Sequence, residues 1–285
     1  MSVYTITLAA PNLPTLTIGV GGSFGLKSLD LGFPEIRQSE FARPDADGII
    51  DETTFIGKRL ITADIVLFPG TWLEEQSLRA FMSPQTRASM LITTPDNNEL
   101  VTTVRGASLS APIVLEDETA GVKRINAQWS AALGVLESAE VKTGVIPAAG
   151  STLPSGRVYD LVFDRDYPDA GPSGSATITN AGTQNAYPVV KIYGPCVGPR
   201  LVNVSQGHEL DFPGLTILAG EFLEIDMRAK TIRYNGDPAD SRYNTLDFTL
   251  STWWGLTPGS QQVRFIPDTF SLPSQAQITW RDAWI

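Results

Sequence analysis

Hydrophobic and polar residues alternate with a period of two along much of this chain. The segments that show the pattern most clearly are "KRINAQWSAAL" (123–133), "EFLEIDM" (221–227) and "NTLDFTLST" (244–252). This alternation predicts half-buried antiparallel strands, each with one face toward a core and one toward solvent. Glycines and prolines, 25 and 20 in number, separate many such short runs, which indicates an all-β class.

One segment departs from the period of two and predicts a single helix. In "GTWLEEQSLRAFMS" (70–83), Thr71 is placed to cap the helix and Glu74 follows three residues later, as in a capping box. Pro84 ends the helix, because proline cannot continue the backbone hydrogen bonding. We expect Leu73, Ser77 and Ala80 or Phe81 to lie on its inner face, against a sheet.

Turn and linker signals divide the predicted strands. Residues 96–98 (Asp-Asn-Asn), Gly121 and the Asn235-Gly236 pair predict turns, and Asn-Gly is a strong hairpin signal. The stretch "TGVIPAAGSTLPSG" (143–156) is rich in Gly, Pro, Ala and Ser, so it is interpreted as an interdomain linker. The sequence therefore predicts two domains, 1–145 and 146–285.

Charge and hydropathy narrow the possible partners. The net charge is −10, and the longest basic clusters are two residues, which argues against binding to nucleic-acid phosphates. No apolar run approaches the roughly 20 residues that span a bilayer, and the N-terminus lacks the pattern of a signal peptide. We expect neither specific nucleic-acid binding nor a membrane partner.

Few residues are available for catalysis or for cofactor binding. The chain has one cysteine, Cys196, which we interpret as a small buried hydrophobe, and one histidine, His208, which we interpret as a surface or loop-anchoring residue. The glycine-rich stretch "IGVGGSFG" (18–25) lacks the Lys-Ser/Thr of a phosphate-binding loop and predicts a turn or bulge. We expect no catalytic residue, no cofactor and no metal, and the chain is not expected to be an enzyme.

An acidic segment, "ARPDADGIIDET" (42–53), contains the ingredients of a calcium loop. Counted from Asp45, however, Gly48 and the remaining acids do not fall at the EF-hand positions. The segment instead predicts an Asp-Gly turn between two strands, with Asp45, Asp47, Asp51 and Glu52 projecting from its tip. These four residues are candidates for a subunit contact or for a channel-facing surface.

Adjacent tryptophans in "STWWGLTPGSQQVRF" (251–265) suggest a second surface. Neighbouring residues of a strand point to opposite faces, so one of Trp253 and Trp254 can fill the core while the other meets a glycan or a protein partner. Packing in the core or at a subunit interface is the alternative for both residues.

Three stretches and the C-terminal ending of the second half form a recognisable series: "ITNAGTQNAYPVVKIYGPCVGPRLVN" (178–203), "GEFLEIDMRAKTIRYNG" (220–236), "TWWGLTPGSQQVRF" (252–265) and "ITWRDAWI" (278–285). In their order and spacing they resemble the distal tail proteins, also called minor tail proteins, of long, non-contractile-tailed bacteriophages. In the first half, Arg43, Asp47-Gly48 and "GKRLITADIVLF" (57–68) resemble the strand order of the same family.

The resemblance implies an N-terminal split β-barrel flanked by a helix and a C-terminal galectin-like β-sandwich. It also implies a homohexameric ring at the virion tail tip, made in the host cytoplasm, that links the tail tube protein to a hub or baseplate protein. DNA would pass through the lumen without specific binding. Acidic side chains lining the lumen would repel phosphates, so we expect part of the negative charge to face the channel.

Two other functions stay open. A carbohydrate-binding module would contact host surface glycans through Trp253 or Trp254, and a glycan hydrolase would need two acids facing one cleft. The sugar-contact residues of galectins have no evident counterpart here, so the fold resemblance does not imply lectin activity.

Overall fold

A computed structural model describes residues 4–38, 40–42, 47, 49–51, 54–68, 71–148 and 174–285. The chain forms two compact units: Met1–Glu140 together with Ala283–Ile285, and Val141–Asp282. Strands predominate in both units, which confirms the predicted all-β class. No helix among the described residues is long and apolar enough to cross a membrane.

The strands, in chain order, are β1 (Thr5–Ala9), β2 (Leu16–Ile18), β3 (Phe24–Asp30), β4 (Ile36–Arg37), β5 (Glu40–Ala42), β6 (Ile49–Asp51), β7 (Phe55–Ile56), β8 (Arg59–Leu67), β9 (Ala88–Thr93), β10 (Glu99–Ser110), β11 (Lys123–Ala131), β12 (Leu136–Ser138), β13 (Lys142–Pro147), β14 (Ser175–Asn180), β15 (Val189–Tyr193), β16 (Cys196–Asn203), β17 (His208–Asp211), β18 (Thr216–Ile217), β19 (Phe222–Asp226), β20 (Thr231–Tyr234), β21 (Gly259–Phe270), β22 (Gln275–Trp280) and β23 (Ala283–Trp284). The helices are α1 (Trp72–Phe81), α2 (Leu115–Thr119) and a 3₁₀ turn (Tyr243–Thr245).

The first unit is built on one antiparallel sheet in the order β2-β1-β9-β10-β11-β8-β3, and β12 joins β10 to β23. The alternation predicted for β11 is confirmed, because Ile125, Ala127, Trp129 and Ala131 are all buried. Leu133 lies beyond the end of β11 and is exposed, since the alternation stops with the strand. The C-terminal residues return to this unit, where Leu136 pairs with Trp284.

Helix α1 begins where the sequence predicts, with the Thr71 side chain accepting a hydrogen bond from the Glu74 backbone N–H. Its buried residues are Glu75, Leu78 and Phe81, so Phe81 lies on the inner face as predicted, whereas Leu73 is exposed. Glu75 belongs to the buried face, and its carboxylate pairs with Lys123 (3.0 Å) and Arg79 (2.6 Å). A carboxylate can be buried where cations neutralise it. The periodicity of the helix alone does not predict this, because the partner Lys123 lies in β11.

A hairpin arm, defined here as residues 36–56, leaves the sheet between β3 and β8. Strand β4 pairs with β7 and β5 pairs with β6, both antiparallel. Gly48 of the predicted Asp-Gly turn lies outside the described residues, so the turn stays a prediction.

The second unit contains two five-stranded antiparallel sheets, β13-β22-β15-β19-β20 and β14-β21-β16-β17, with β18 added to β16. Alternate residues of both sheets are buried, as in two sheets that share a core. Those residues include Val190, Ile192, Leu223 and Ile225 in one sheet and Leu201, Val263 and Phe265 in the other.

Two sequence-based predictions in the second half differ from the structure. The predicted linker begins as strand β13, which pairs with β22, while residues 149–156 lie outside the described residues. The segment 244–252 is not a strand: after the 3₁₀ turn, Leu246 is buried but Phe248 and Leu250 are exposed. The turn predicted at Asn235-Gly236 is present and follows β20, while residues 227–230 connect β19 to β20.

Candidate functional site

The acidic tip of the hairpin arm is only partly described. Asp47 is exposed, and Asp51 is the last residue of β6. Asp45 and Glu52 lie outside the described residues, as do Arg43 and Gly48. The assignment of the tip to a subunit contact or to a channel surface therefore stays a prediction.

Trp253 and Trp254 lie in an irregular segment, not in a strand, so the predicted alternation does not set their directions. The segment is held at one end by the Thr252 N–H, which donates to the Glu209 carbonyl, and at the other by a bridge between Leu256 and Ala186. Trp254 is 3% exposed and belongs to the core, while Trp253 is half-buried and stacks on Tyr243 at 6.2 Å between ring centroids.

A shallow pocket of about 270 Å³ lies beside these tryptophans, within the second unit. Its walls combine aromatic and polar side chains and contain no acidic residue: Asn185, Tyr187, Gln206, His208, Met227, Lys230, Trp253, Trp254, Gly255 and Thr257. These residues come from the segment that precedes β15, from the turn before β17 and the first residue of that strand, from the turn after β19 and from the irregular segment. The pocket was not predicted, because its residues are distant in sequence and no local pattern relates them.

A network of side-chain amides connects residues of the pocket wall. The Asn203 side chain donates to Gln261 Oε1 (2.7 Å), and Gln206 Nε2 donates both to that oxygen (3.1 Å) and to the Gly255 carbonyl (2.7 Å). Gln261 Nε2 donates in turn to the carbonyl of Thr257 (3.0 Å). Each partner is satisfied within the protein, so the network fixes the pocket wall and is not free to bind a ligand itself.

Two buried nitrogens in the pocket residues have no hydrogen-bond partner among the described residues: Nδ1 of His208 and Nε1 of Trp254. Buried indole N–H groups and imidazole nitrogens are normally paired, because leaving one unsatisfied costs free energy. His208, interpreted from the sequence as a surface or loop-anchoring residue, is the first residue of β17 and is half-buried.

The residues that carry the family resemblance have structural roles close by. Asn180 is buried, donates to the carbonyls of Gln184 (2.7 Å) and Leu256 (2.8 Å), and accepts from the Gly182 N–H (3.0 Å). Asp282 pairs with Lys142 at 2.5 Å and accepts from the Ala181 N–H. In the "ITNAG" and "WRDAW" stretches, Asn180 and Asp282 thus have a structural role, because their side chains hydrogen-bond to the backbone of neighbouring loops.

The thiol of Cys196 is not accessible to act as a nucleophile. Cys196 is buried, as predicted, and desolvation raises the pKa of its thiol, which keeps it in the unreactive protonated form. Among the described residues, no group of three or more His, Cys, Asp or Glu side chains is arranged to hold a metal ion.

One family model matches most of the second half of the chain. Residues 181–284 match the family model of the siphovirus-type tail component, C-terminal domain. The resemblance to siphophage distal tail proteins that the sequence suggested is thereby confirmed. No curated protein sequence matches the chain.

The fold of the whole chain is similar to that of the SPP1 Dit protein, which is described as a paradigm of the hub adsorption apparatus in phages that infect Gram-positive bacteria. The TM-score is 0.63 with 11% identity, over 98% of this chain and 99% of that one. The phage P2 baseplate in its activated conformation with calcium aligns over 97% of each chain at 12% identity, but its TM-score of 0.45 does not establish a common fold.

Proposed function

We propose that this protein is a structural component of a siphophage tail tip, an adaptor that links the tail tube to the baseplate or host-recognition apparatus. The observation that carries the proposal is the match of residues 181–284 to the tail-component family. The similarity of fold along the whole chain agrees with it. In this role the protein performs no covalent chemistry.

The adaptor acts as a homohexameric ring through which DNA passes. The first unit, with its split β-barrel and flanking helix, forms the ring, and the second unit is a galectin-like sandwich. Exposed apolar side chains on the first unit are the candidates for a self-interface, because large exposed apolar patches mark protein–protein contacts. They include Phe68, Trp72 and Leu73 around α1, Ile113 and Leu115 around α2, and Phe33, Ile36 and Phe55 near the base of the hairpin arm.

The hairpin arm is a second candidate for ring contacts. Antiparallel arms can pair with a neighbour's strands, and a closed ring then leaves no exposed strand edge. Its acidic tip, with exposed Asp47, lies either in a subunit contact or along the channel. A lumen with negative charge would repel phosphates and let the genome pass without sticking.

Size in solution tests the proposal most directly. The full chain is measured by light scattering coupled to gel filtration over a wide range of concentration, alone and with the tail tube protein. We expect a hexamer, or a ring that closes on addition of the tube protein, and electron microscopy would show a central channel. A chain that remains monomeric under both conditions, or a ring with a basic lumen, would contradict the proposal.

A further inference from the structure

The turn after β20 contains the Asn-Gly pair of the sequence, Asn235-Gly236. Asn235 has a left-handed backbone conformation with φ of 51°, and Gly236 follows with φ of 72°. Asn235 bonds twice to one residue of β19: its N–H donates to the Phe222 carbonyl (2.8 Å), and the Phe222 N–H donates to Asn235 Oδ1 (2.9 Å). The side-chain carbonyl of Asn235 is therefore held in place by a backbone donor.

An asparagine side chain can react with the backbone nitrogen of the residue that follows it. The nitrogen loses its proton and attacks Cγ, a five-membered succinimide ring forms, and the side-chain nitrogen leaves as ammonia. Water then opens the ring and gives aspartate or isoaspartate, so water is the co-reactant and nothing is oxidised or reduced. The attack requires an unbonded N–H, space around the nitrogen, and stabilisation of the negative charge that develops on Oδ1.

The surroundings of Gly236 meet these three requirements. Its N–H donates no hydrogen bond to any residue that the structure describes. The space beside it is open, since the nearest atom to an added Cβ would be Phe222 Cζ at 3.7 Å, and Asn235 is exposed to water. The Phe222 N–H donates to the oxygen on which negative charge would develop, as a donor of an oxyanion hole does.

The structure describes two further asparagines in the left-handed conformation, and neither has this combination. Asn12 (φ 65°) and Asn97 (φ 58°) are both exposed, as Asn235 is. The N–H of the next residue is bonded in each case: that of Leu13 donates to a backbone carbonyl (3.3 Å), and that of Asn98 donates to Thr94 Oγ1 (3.1 Å). The unbonded nitrogen after Asn235 thus distinguishes it from residues with the same backbone conformation.

We propose that Asn235 is a site of spontaneous modification, converted to aspartate and isoaspartate by attack of the Gly236 nitrogen on its side chain. The reaction is independent of the adaptor role. It exchanges a neutral amide for a carboxylate close to Glu224, whose Oε2 is 3.8 Å from the position of a Cβ on Gly236. Isoaspartate also lengthens the backbone by one methylene, which disrupts the two hydrogen bonds to Phe222. The turn therefore gains negative charge with age, and the pairing of β19 with β20 weakens.

The modification is tested on the full, folded chain, which is aged at mildly alkaline pH and digested with trypsin. Mass spectrometry follows the peptide 234–242, whose mass increases by one unit on conversion, and labelling by an isoaspartate methyltransferase identifies isoaspartate. We expect both products at Asn235 and a rate that rises with pH, because the Gly236 nitrogen must lose its proton. If Asn235 stayed unmodified in the folded chain while the chain unfolded in urea converted, the fold would protect the residue and the proposal would be overturned.

Asn98→Gly supplies the matched control, because it creates a second Asn-Gly pair at Asn97 whose N–H keeps Thr94 Oγ1 as its acceptor. The need to break that hydrogen bond predicts roughly fivefold slower conversion at Asn97 than at Asn235 of the same variant. Adding Thr94→Val removes the acceptor and should bring the two rates together, with circular dichroism verifying that each variant is folded. Equal rates in Asn98→Gly alone would show that the sequence and not the turn sets the reactivity, which would also overturn the proposal.

Discussion

At the scale of single residues, the most informative side chain is Glu75 of α1. Its carboxylate is buried, and Lys123 first and Arg79 second lower its pKa against the opposing effect of desolvation. Because the pKa is lower in the folded state than its usual 4.5, the ionised group stabilises the fold at neutral pH. That contribution is lost as the pH falls from about 4.5 through the lowered folded-state pKa.

Glu75→Gln should therefore destabilise the protein at pH 7 and reduce its sensitivity to acid. Loss of hydrogen bonds to two charged partners predicts a cost of about 1–3 kcal/mol at pH 7, measured by urea unfolding. As the pH falls below the usual 4.5, the difference from the wild-type protein should shrink, since the unfolded state then takes up a proton at Glu75 before the folded state does.

The control is Glu35→Gln, which removes one partner of an ion pair with Lys58 at 3.4 Å whose side chains are both more than half exposed. Such surface pairs contribute about 0–1 kcal/mol, so little change is expected at pH 7. If the two variants behaved alike, burial of the Glu75 pair would not contribute to stability.

At the scale of elements, the contact between α1 and β10 depends on one glycine. A Cβ at Gly106 would lie 2.3 Å from the Met82 carbonyl oxygen and 2.5 Å from its Cα, immediately after the helix ends. The register of β10 and β11 shifts at the same place, between Gly106 and Ser108. The irregular strand and the missing side chain together let the end of the helix approach the sheet.

Gly106→Ala is expected to lower the stability by about 1–3 kcal/mol, because the added methyl group meets backbone atoms that cannot rotate away. The melting temperature checks this by calorimetry. Gly22→Ala is a suitable comparison, since the nearest atom to its new Cβ would be the Thr17 carbonyl oxygen at 3.8 Å. A melting temperature for Gly106→Ala equal to that of Gly22→Ala would contradict the close approach.

At the scale of the whole molecule, the exposed face of α1 is the part of the proposed ring interface that is easiest to change. Trp72 and Leu73 are 69% and 74% exposed and lie opposite the buried Leu78 and Phe81. Trp72→Asp combined with Leu73→Asp places two charges in an interface that would otherwise exclude water. The unpaired charges should weaken assembly at least tenfold, as measured by light scattering, while circular dichroism stays that of the folded chain.

Leu218→Asp controls for added surface charge, because Leu218 is an exposed apolar residue of the second unit. This variant should assemble normally. Unaltered assembly of the double variant would exclude the outer face of α1 from the interface.

The sequence by itself determined the all-β class, the position of α1 and the family resemblance of the second half. These depend on short-range signals, namely alternation, the Thr71 cap and the order of motifs such as "ITNAG". Local periodicity was less successful where long-range partners decide the outcome. It placed Leu73 on the inner face of α1, whereas Glu75 lies on that face and pairs with Lys123. It also predicted a strand at 244–252, where the structure has none.

Only the tertiary structure decided which residues meet. It joined the C-terminal strand β23 to β12, buried Asn180 under the loop that contains Leu256, and collected His208, Tyr187 and Trp254 around one pocket. The physical reason is that a period of two states which face of a strand is buried, but not which strand or loop lies against it. Pairings between residues far apart in the chain are selected by packing and hydrogen bonding of the complete fold.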